Sequence, residues 1–94
     1  MTISEKQIED FLDECVRPRG GVAVKLGHSG WHDRIILLPG ARMGLLEVKR
    51  PGEEPDPLQW ERIATARALG FHSGFADTYA GVEAFVKLVS QERL

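Results

Sequence analysis

The spacing of apolar and polar positions divides the chain into seven segments. Ile8, Phe11, Leu12 and Cys15 recur at helical intervals, and Ser4 followed three residues later by Gln7 is a capping-box pattern, so a helix is predicted over residues 4–16. Pro18 and the Gly20-Gly21 pair end it. Residues 22–26 alternate as a strand, with Val22, Val24 and Leu26 on one face and Lys25 on the other. Residues 34–38 form an apolar run suited to a central strand. Pro39-Gly40-Ala41-Arg42 is a turn, and residues 43–50 complete a hairpin with the strand before it. Residues 51–57 hold three prolines and a glycine and read as a loop. A second helix is predicted over residues 58–69, burying Leu58, Ile63, Ala66 and Leu69, with Gly70 as its C-terminal cap. Residues 71–76 are a fourth strand, Asp77-Thr78 can start the next segment, and residues 82–94 are a final helix built on Val82, Phe85, Val86 and Val89.

The resulting order is αβββαβα. Its last strand–helix–strand unit implies that the third and fourth strands run parallel through a right-handed crossover. The expected fold is therefore an α/β domain with a mixed sheet flanked by helices, spanning residues 1–94 as one unit. The longest apolar run, residues 35–38, is far too short to span a membrane. Cys15 is the single cysteine, which excludes an internal disulfide and a multi-cysteine zinc site. The opening Met1-Thr2-Ile3-Ser4-Glu5-Lys6 lacks the basic-then-apolar order of a secretory leader. A cytoplasmic location is the expectation.

The net charge of −2 is uninformative until it is mapped along the chain. Residues 1–16 carry five acids and one base, residues 17–50 two acids and seven bases, and residues 51–94 seven acids and four bases. The two acids of the basic middle third are Asp33 and Glu47. Acids set in a basic field suit a metal site that must approach phosphates, although small domains also show such swings by chance.

Alternation along a strand puts Glu47 and Lys49 on one face and Val48 on the other. A carboxylate and an ammonium late in an apolar strand are costly to bury without purpose, the plain alternative being a solvated ion pair at a sheet end. Asp33 lies fourteen residues before Glu47, immediately ahead of the second strand. Hairpin pairing brings these two carboxylates to the same sheet edge, where they repel unless they share a cation or a proton. Hard oxygen ligands without His or Cys clusters favour Mg²⁺ or Mn²⁺, and the Val48 backbone carbonyl is a further oxygen donor. The first helix offers a third carboxylate, Glu5 or, one turn on, Glu9. Acids there also suit the helix dipole, so the choice stays open.

These residues fall into a recognisable set. Glu5-Lys6-Gln7-Ile8-Glu9, Gly20-Gly21 followed by Lys25, Gly30-Trp31-His32-Asp33-Arg34, Leu46-Glu47-Val48-Lys49-Arg50-Pro51, Leu58-Gln59 and Gly70-Phe71 occur in order over nearly the whole chain. In them the chain resembles the VRR-NUC family of the PD-(D/E)XK nuclease superfamily. The resemblance implies a restriction-endonuclease-like core, divalent-metal-dependent hydrolysis of DNA phosphodiesters, and kinship with small stand-alone phage and bacterial members that act as dimers on branched DNA such as Holliday junctions. The host compartment would then be the cytoplasm of a bacterium or a phage-infected cell. The family's usual Pro-Asp appears here as His32-Asp33, which keeps the aspartate and loses the proline that shapes the turn.

Carried onto this chain, the resemblance makes Asp33, Glu47, Lys49 and Gln59 the catalytic set and Glu5, Asp33, Glu47 and Val48 the metal-holding set. Lys49 would orient the attacking water or stabilise the transition state, and Gln59, at a helix start, would hold a phosphate or that water. Lys25, His28, Ser29, Arg34 and Arg50 are the candidate DNA contacts. His32 reads as a surface turn residue, with a phosphate contact as its alternative. Trp31 is open between stacking on a base and packing at a subunit seam, and Trp60 and His72 read as packing residues. Two other functions compete with a nuclease: a non-catalytic DNA-binding module on the same fold, and a regulatory metal or docking site unrelated to DNA.

Overall fold

The computed structural model describes residues 2–27 and 30–91. Ser4 caps the first helix, α1 (Glu5–Val16), through a reciprocal box: its hydroxyl accepts from the Gln7 backbone N–H at 3.1 Å, and its own N–H donates to Gln7 Oε1 at 2.8 Å. A single 3₁₀ turn, Arg17–Arg19, leads into strands β1 (Val22–Lys25), β2 (Arg34–Leu38) and β3 (Arg42–Val48). Helix α2 (Pro57–Ala68), strand β4 (His72–Ala76) and helix α3 (Tyr79–Ser90) follow. The order is αβββαβα, as the periodicity predicts. The final helix begins at Tyr79 rather than residue 82, because Thr78 Oγ1 accepts from the Gly81 N–H at 2.9 Å and starts it a turn early.

The sheet order is β1-β2-β3-β4, antiparallel up to β3 and parallel between β3 and β4. One face carries Ile36, Leu38, Leu46, Val48 and Ala76, which pack with Ile8, Leu12 and Val16 of α1 and Val82, Val86 and Val89 of α3. Burying each such side chain stabilises the fold by about 1.5–3 kcal/mol. Gly44 lies on this face because α3 crosses it closely: a Cβ there would sit 2.5 Å from Val89 Cγ2 and 3.0 Å from the Phe85 ring.

The opposite face is covered unevenly. Helix α2 buries Ile63 and Ala66, and Trp60 stacks edge-on against Phe75 of β4, with ring centroids 5.3 Å apart. Leu58 and Leu69, expected in the buried stripe, are exposed. Helix α2 turns only a narrow strip inward, so their helical spacing does not bring them under it. Beyond α2, Val22, Val24 and Leu37 of β1 and β2 are left exposed. Among the described residues, no helix is long and apolar enough to cross a membrane.

Candidate active site

Strand alternation delivers the site. Val48 points into the core between α1 and α3, so Glu47 on the same strand must point toward α2. Leu46 pairs with Arg34 across β2 and β3. One further step of that register sets Asp33 opposite Glu47. Asp33 Oδ2 accepts from the Val48 backbone N–H at 2.9 Å, which fixes the carboxylate at the end of the ladder. The neighbouring Lys49 N–H turns to the other side, to the Ala76 carbonyl at 2.9 Å. A strand residue directs its N–H and C=O toward the same neighbour, so the Val48 carbonyl faces the side on which Asp33 lies.

Glu47 is 2 % exposed. Burial, repulsion from Asp33 and a carboxyl–carboxyl hydrogen bond with Asp33 push its pKa up to about 8, against the opposing pull of Lys49. Lys49 Nζ stands 3.9 Å from Glu47 Oε1. The same Glu47 oxygen accepts from Gln59 Nε2 at 2.9 Å. Gln59 is placed there by the cap of α2: its Oε1 accepts from the Asp56 N–H at 2.9 Å, and its own N–H donates to Asp56 Oδ1 at 2.9 Å. One amide therefore closes a helix and touches the buried carboxyl, and its second amide hydrogen remains available.

The four residues expected to carry chemistry are thus brought together. Glu5 stands at their margin. Burial and the nearby charges of Asp33 and Glu9 raise its pKa, while Lys49 lowers it. Glu9, the competing helix-borne acid, is instead held by Arg34 Nε at 3.2 Å. That ion pair also redirects Arg34, expected as a DNA contact. Its guanidinium binds Glu9, Asp13 Oδ1 at 3.1 Å and the Ala23 carbonyl at 3.0 Å, with the side chain only 11 % exposed. Lys25 pairs with Arg34 and so belongs to the face of Ile36 and Val48, not to that of Glu47. Lys25, expected as a DNA contact, therefore stands on the side of the sheet away from the carboxyl pair. Arg50 is exposed and pairs with Glu53 on the loop after β3. His28 and Ser29 lie outside the described residues.

His32 corrects the expectation of a surface turn residue. It is buried, and its Nε2 lies 2.5 Å from Ser73 Oγ on β4, while among the described residues its Nδ1 has no hydrogen-bond partner. Burial holds its pKa below the usual imidazole range despite the attraction of Asp33. The ring takes the place of a proline ahead of the aspartate and ties the turn to the far strand. No local signal marks it, because Ser73 is 41 residues away.

Among the described residues, no three His, Cys, Asp or Glu side chains gather into a ready-made cation site. The convergent unit is the pair Asp33 and Glu47, whose mutual repulsion adds to burial in raising the Glu47 pKa. Two hard carboxylates forced together, one of them buried and protonated near neutrality, fit a divalent cation of the Mg²⁺ or Mn²⁺ kind.

No family model matches the chain. Its fold is that of a VRR-NUC domain: a solved structure described by that name superposes with a TM-score of 0.80 and 23% sequence identity, covering 90% of this chain and 97% of the other. In sequence, the chain is 41% identical over 71 residues to "Putative nuclease p44" of Acyrthosiphon pisum secondary endosymbiont phage 1, which covers 72% of this chain and 76% of the phage protein. With that relative and that fold, the chain belongs to the VRR-NUC family.

Proposed function

We propose that this protein is a divalent-metal-dependent endonuclease that hydrolyses DNA phosphodiesters, prefers branched DNA such as a Holliday junction, and acts as a homodimer. The observation that carries the reading is the buried meeting of Asp33 and Glu47, with Lys49 and Gln59 on the same Glu47 oxygen. Asp33 and Glu47 would hold Mg²⁺ or Mn²⁺, with the Val48 carbonyl as a further donor and Glu5 completing the set from the helix. When bound, the cation supplies Lewis acidity to the phosphate and lowers the pKa of an attacking water. Lys49 places a positive charge where negative charge grows on the phosphoryl oxygens, and Gln59 orients the water or a phosphate oxygen with its remaining N–H. Arg50, whose exposed pair with Glu53 is weak, would exchange that partner for a backbone phosphate.

The uncovered apolar positions Val22, Val24 and Leu37 support self-association, since a second copy would remove them from water. A two-fold pair of sites suits paired cuts across a four-way junction. The test is to incubate the protein with labelled four-way junction, flap, duplex and single-stranded DNA in Mg²⁺, Mn²⁺ or EDTA. Cutting is expected with either metal and not in EDTA, strongest on branched DNA, and abolished by Lys49→Ala with the fold intact. DNA retention without cutting under every condition would instead favour the non-catalytic binding module. Sedimentation tests the dimer, and a strict monomer would remove the paired-cut reading.

A further inference from the structure

The loop that delivers Asp33 also delivers an aromatic ring. Gly30 adopts a left-handed conformation (φ +80°), and a Cβ on it would lie 2.6 Å from Leu58 Cδ2. Only glycine allows that approach. It lays residues 30–31 on the start of α2, the turn from which Gln59 reaches Glu47. There the guanidinium of Arg62, one turn after Gln59, covers the Trp31 ring at 4.9 Å from its centroid. Trp31 nevertheless stays 38 % exposed, beside Leu58 at 43 %.

Arg62 is unusual among the arginines. Among the described residues its Nε is buried with no hydrogen-bond partner, and no carboxylate pairs with it. Arg34 and Arg50, by contrast, have their acids. A guanidinium sheltered against an indole gains a cation–π contact, and its N–H donors still call for an anion. The anion that belongs beside this site is a phosphate. The backbone of Trp31 is two residues from that of Asp33, no more than about 7 Å between Cα atoms, so ring and carboxylate leave the same turn.

We propose that Trp31 and Arg62 form a nucleotide shelf beside the carboxyl pair. Trp31 stacks on the base of an unpaired nucleotide next to the cleaved phosphate, and Arg62 donates to a neighbouring phosphate oxygen. This rests on the nuclease reading above and narrows its substrate: the DNA must offer a base free of its partner at the site, as flaps, forks and opened junctions do and an intact duplex does not. Trp31 is then a specificity-determining residue, and the exposure of its ring has a use.

The test uses the full chain with Trp60→Phe, so that Trp31 is the single tryptophan, titrated in EDTA with an oligothymidylate or with a blunt duplex. The oligothymidylate is expected to quench Trp31 and the duplex to leave it nearly unchanged. With a labelled oligothymidylate, Trp31→Ala in the otherwise unaltered protein is expected to weaken binding by about 10-fold or more, and Trp31→Phe to restore most of it. Arg62→Gln is expected to weaken binding and to lower its salt dependence by about one counterion. Absence of quenching, equal quenching by the duplex, or undiminished binding by Trp31→Ala would overturn the shelf. Cleavage by the same preparations in Mn²⁺ separates the two readings: cutting without quenching removes the shelf alone, whereas quenching without cutting keeps the shelf and removes the nuclease.

Discussion

Toward α1 and α3 the sheet presents Ile36, Leu46, Val48 and Ala76, all buried; toward α2 the same strands present Glu47, Lys49 and Ser73. Val48 and Glu47 are neighbours in sequence, yet one belongs to an apolar core and the other to a cluster of acids and amides. Arg34, a charged residue on the apolar side, is neutralised at once by Glu9 and Asp13. The acids of the polar side have no such answer: Lys49 stands 3.9 Å from Glu47, and Asp33 adds repulsion. The contrast teaches where this small domain keeps its stability. One closed layer of aliphatic contacts holds the fold, and that surplus lets the other face retain groups that oppose folding.

The sharpest way to break the comparison is to disarm the polar face. Glu47→Gln is expected to lower metal-supported DNA cleavage by about 10³-fold or more, with the fold kept. It also reads the electrostatics. The folded-state pKa of Glu47, about 8, lies above its unfolded value near 4.5. Between those values the folded state holds the extra proton, so this group's contribution to stability is complete below pH 4.5 and is lost as pH rises through about 8. Chemical denaturation of the metal-free protein across that window is expected to show falling stability, and Glu47→Gln to flatten the decline.

Emptying the apolar face has the converse signature. Leu12→Ala, at a fully buried position of α1, is expected to cost about 2–5 kcal/mol in urea unfolding while the folded fraction keeps its activity. Ser73→Ala removes the partner of a buried imidazole and is expected to cost about 1–3 kcal/mol by the same measurement. Leu69→Ser, at an apolar position with 71 % exposure, is expected to stay within about 0.5 kcal/mol of the parent. If Leu69→Ser rivalled Leu12→Ala, the division between the faces would be misplaced.

Features written in local spacing were legible before the fold was known. The Ser4–Gln7 box starts α1 at the expected place, and strand alternation alone separates Glu47 from Val48. Hairpin pairing was enough to bring Asp33 to Glu47. Features that depend on distant partners were not legible. His32 is buried because Ser73 meets it from β4, and Arg34 leaves the site because Glu9 and Asp13 on α1 hold it. Lys25 needed the β1–β2 register, not its own strand's alternation, to be assigned a face. Thr78 was legible as the start of the segment after β4, whereas the apolar stripe alone places the body of α3 only from residue 82.

The most direct test of the carboxyl pair is Mn²⁺ binding, followed by electron paramagnetic resonance without DNA. The parent protein is expected to bind the ion, with Asp33→Asn and Glu47→Gln each weakening it by more than about 10-fold and the double variant losing it. Undiminished Mn²⁺ binding by the double variant would contradict the assignment of the cation to this pair.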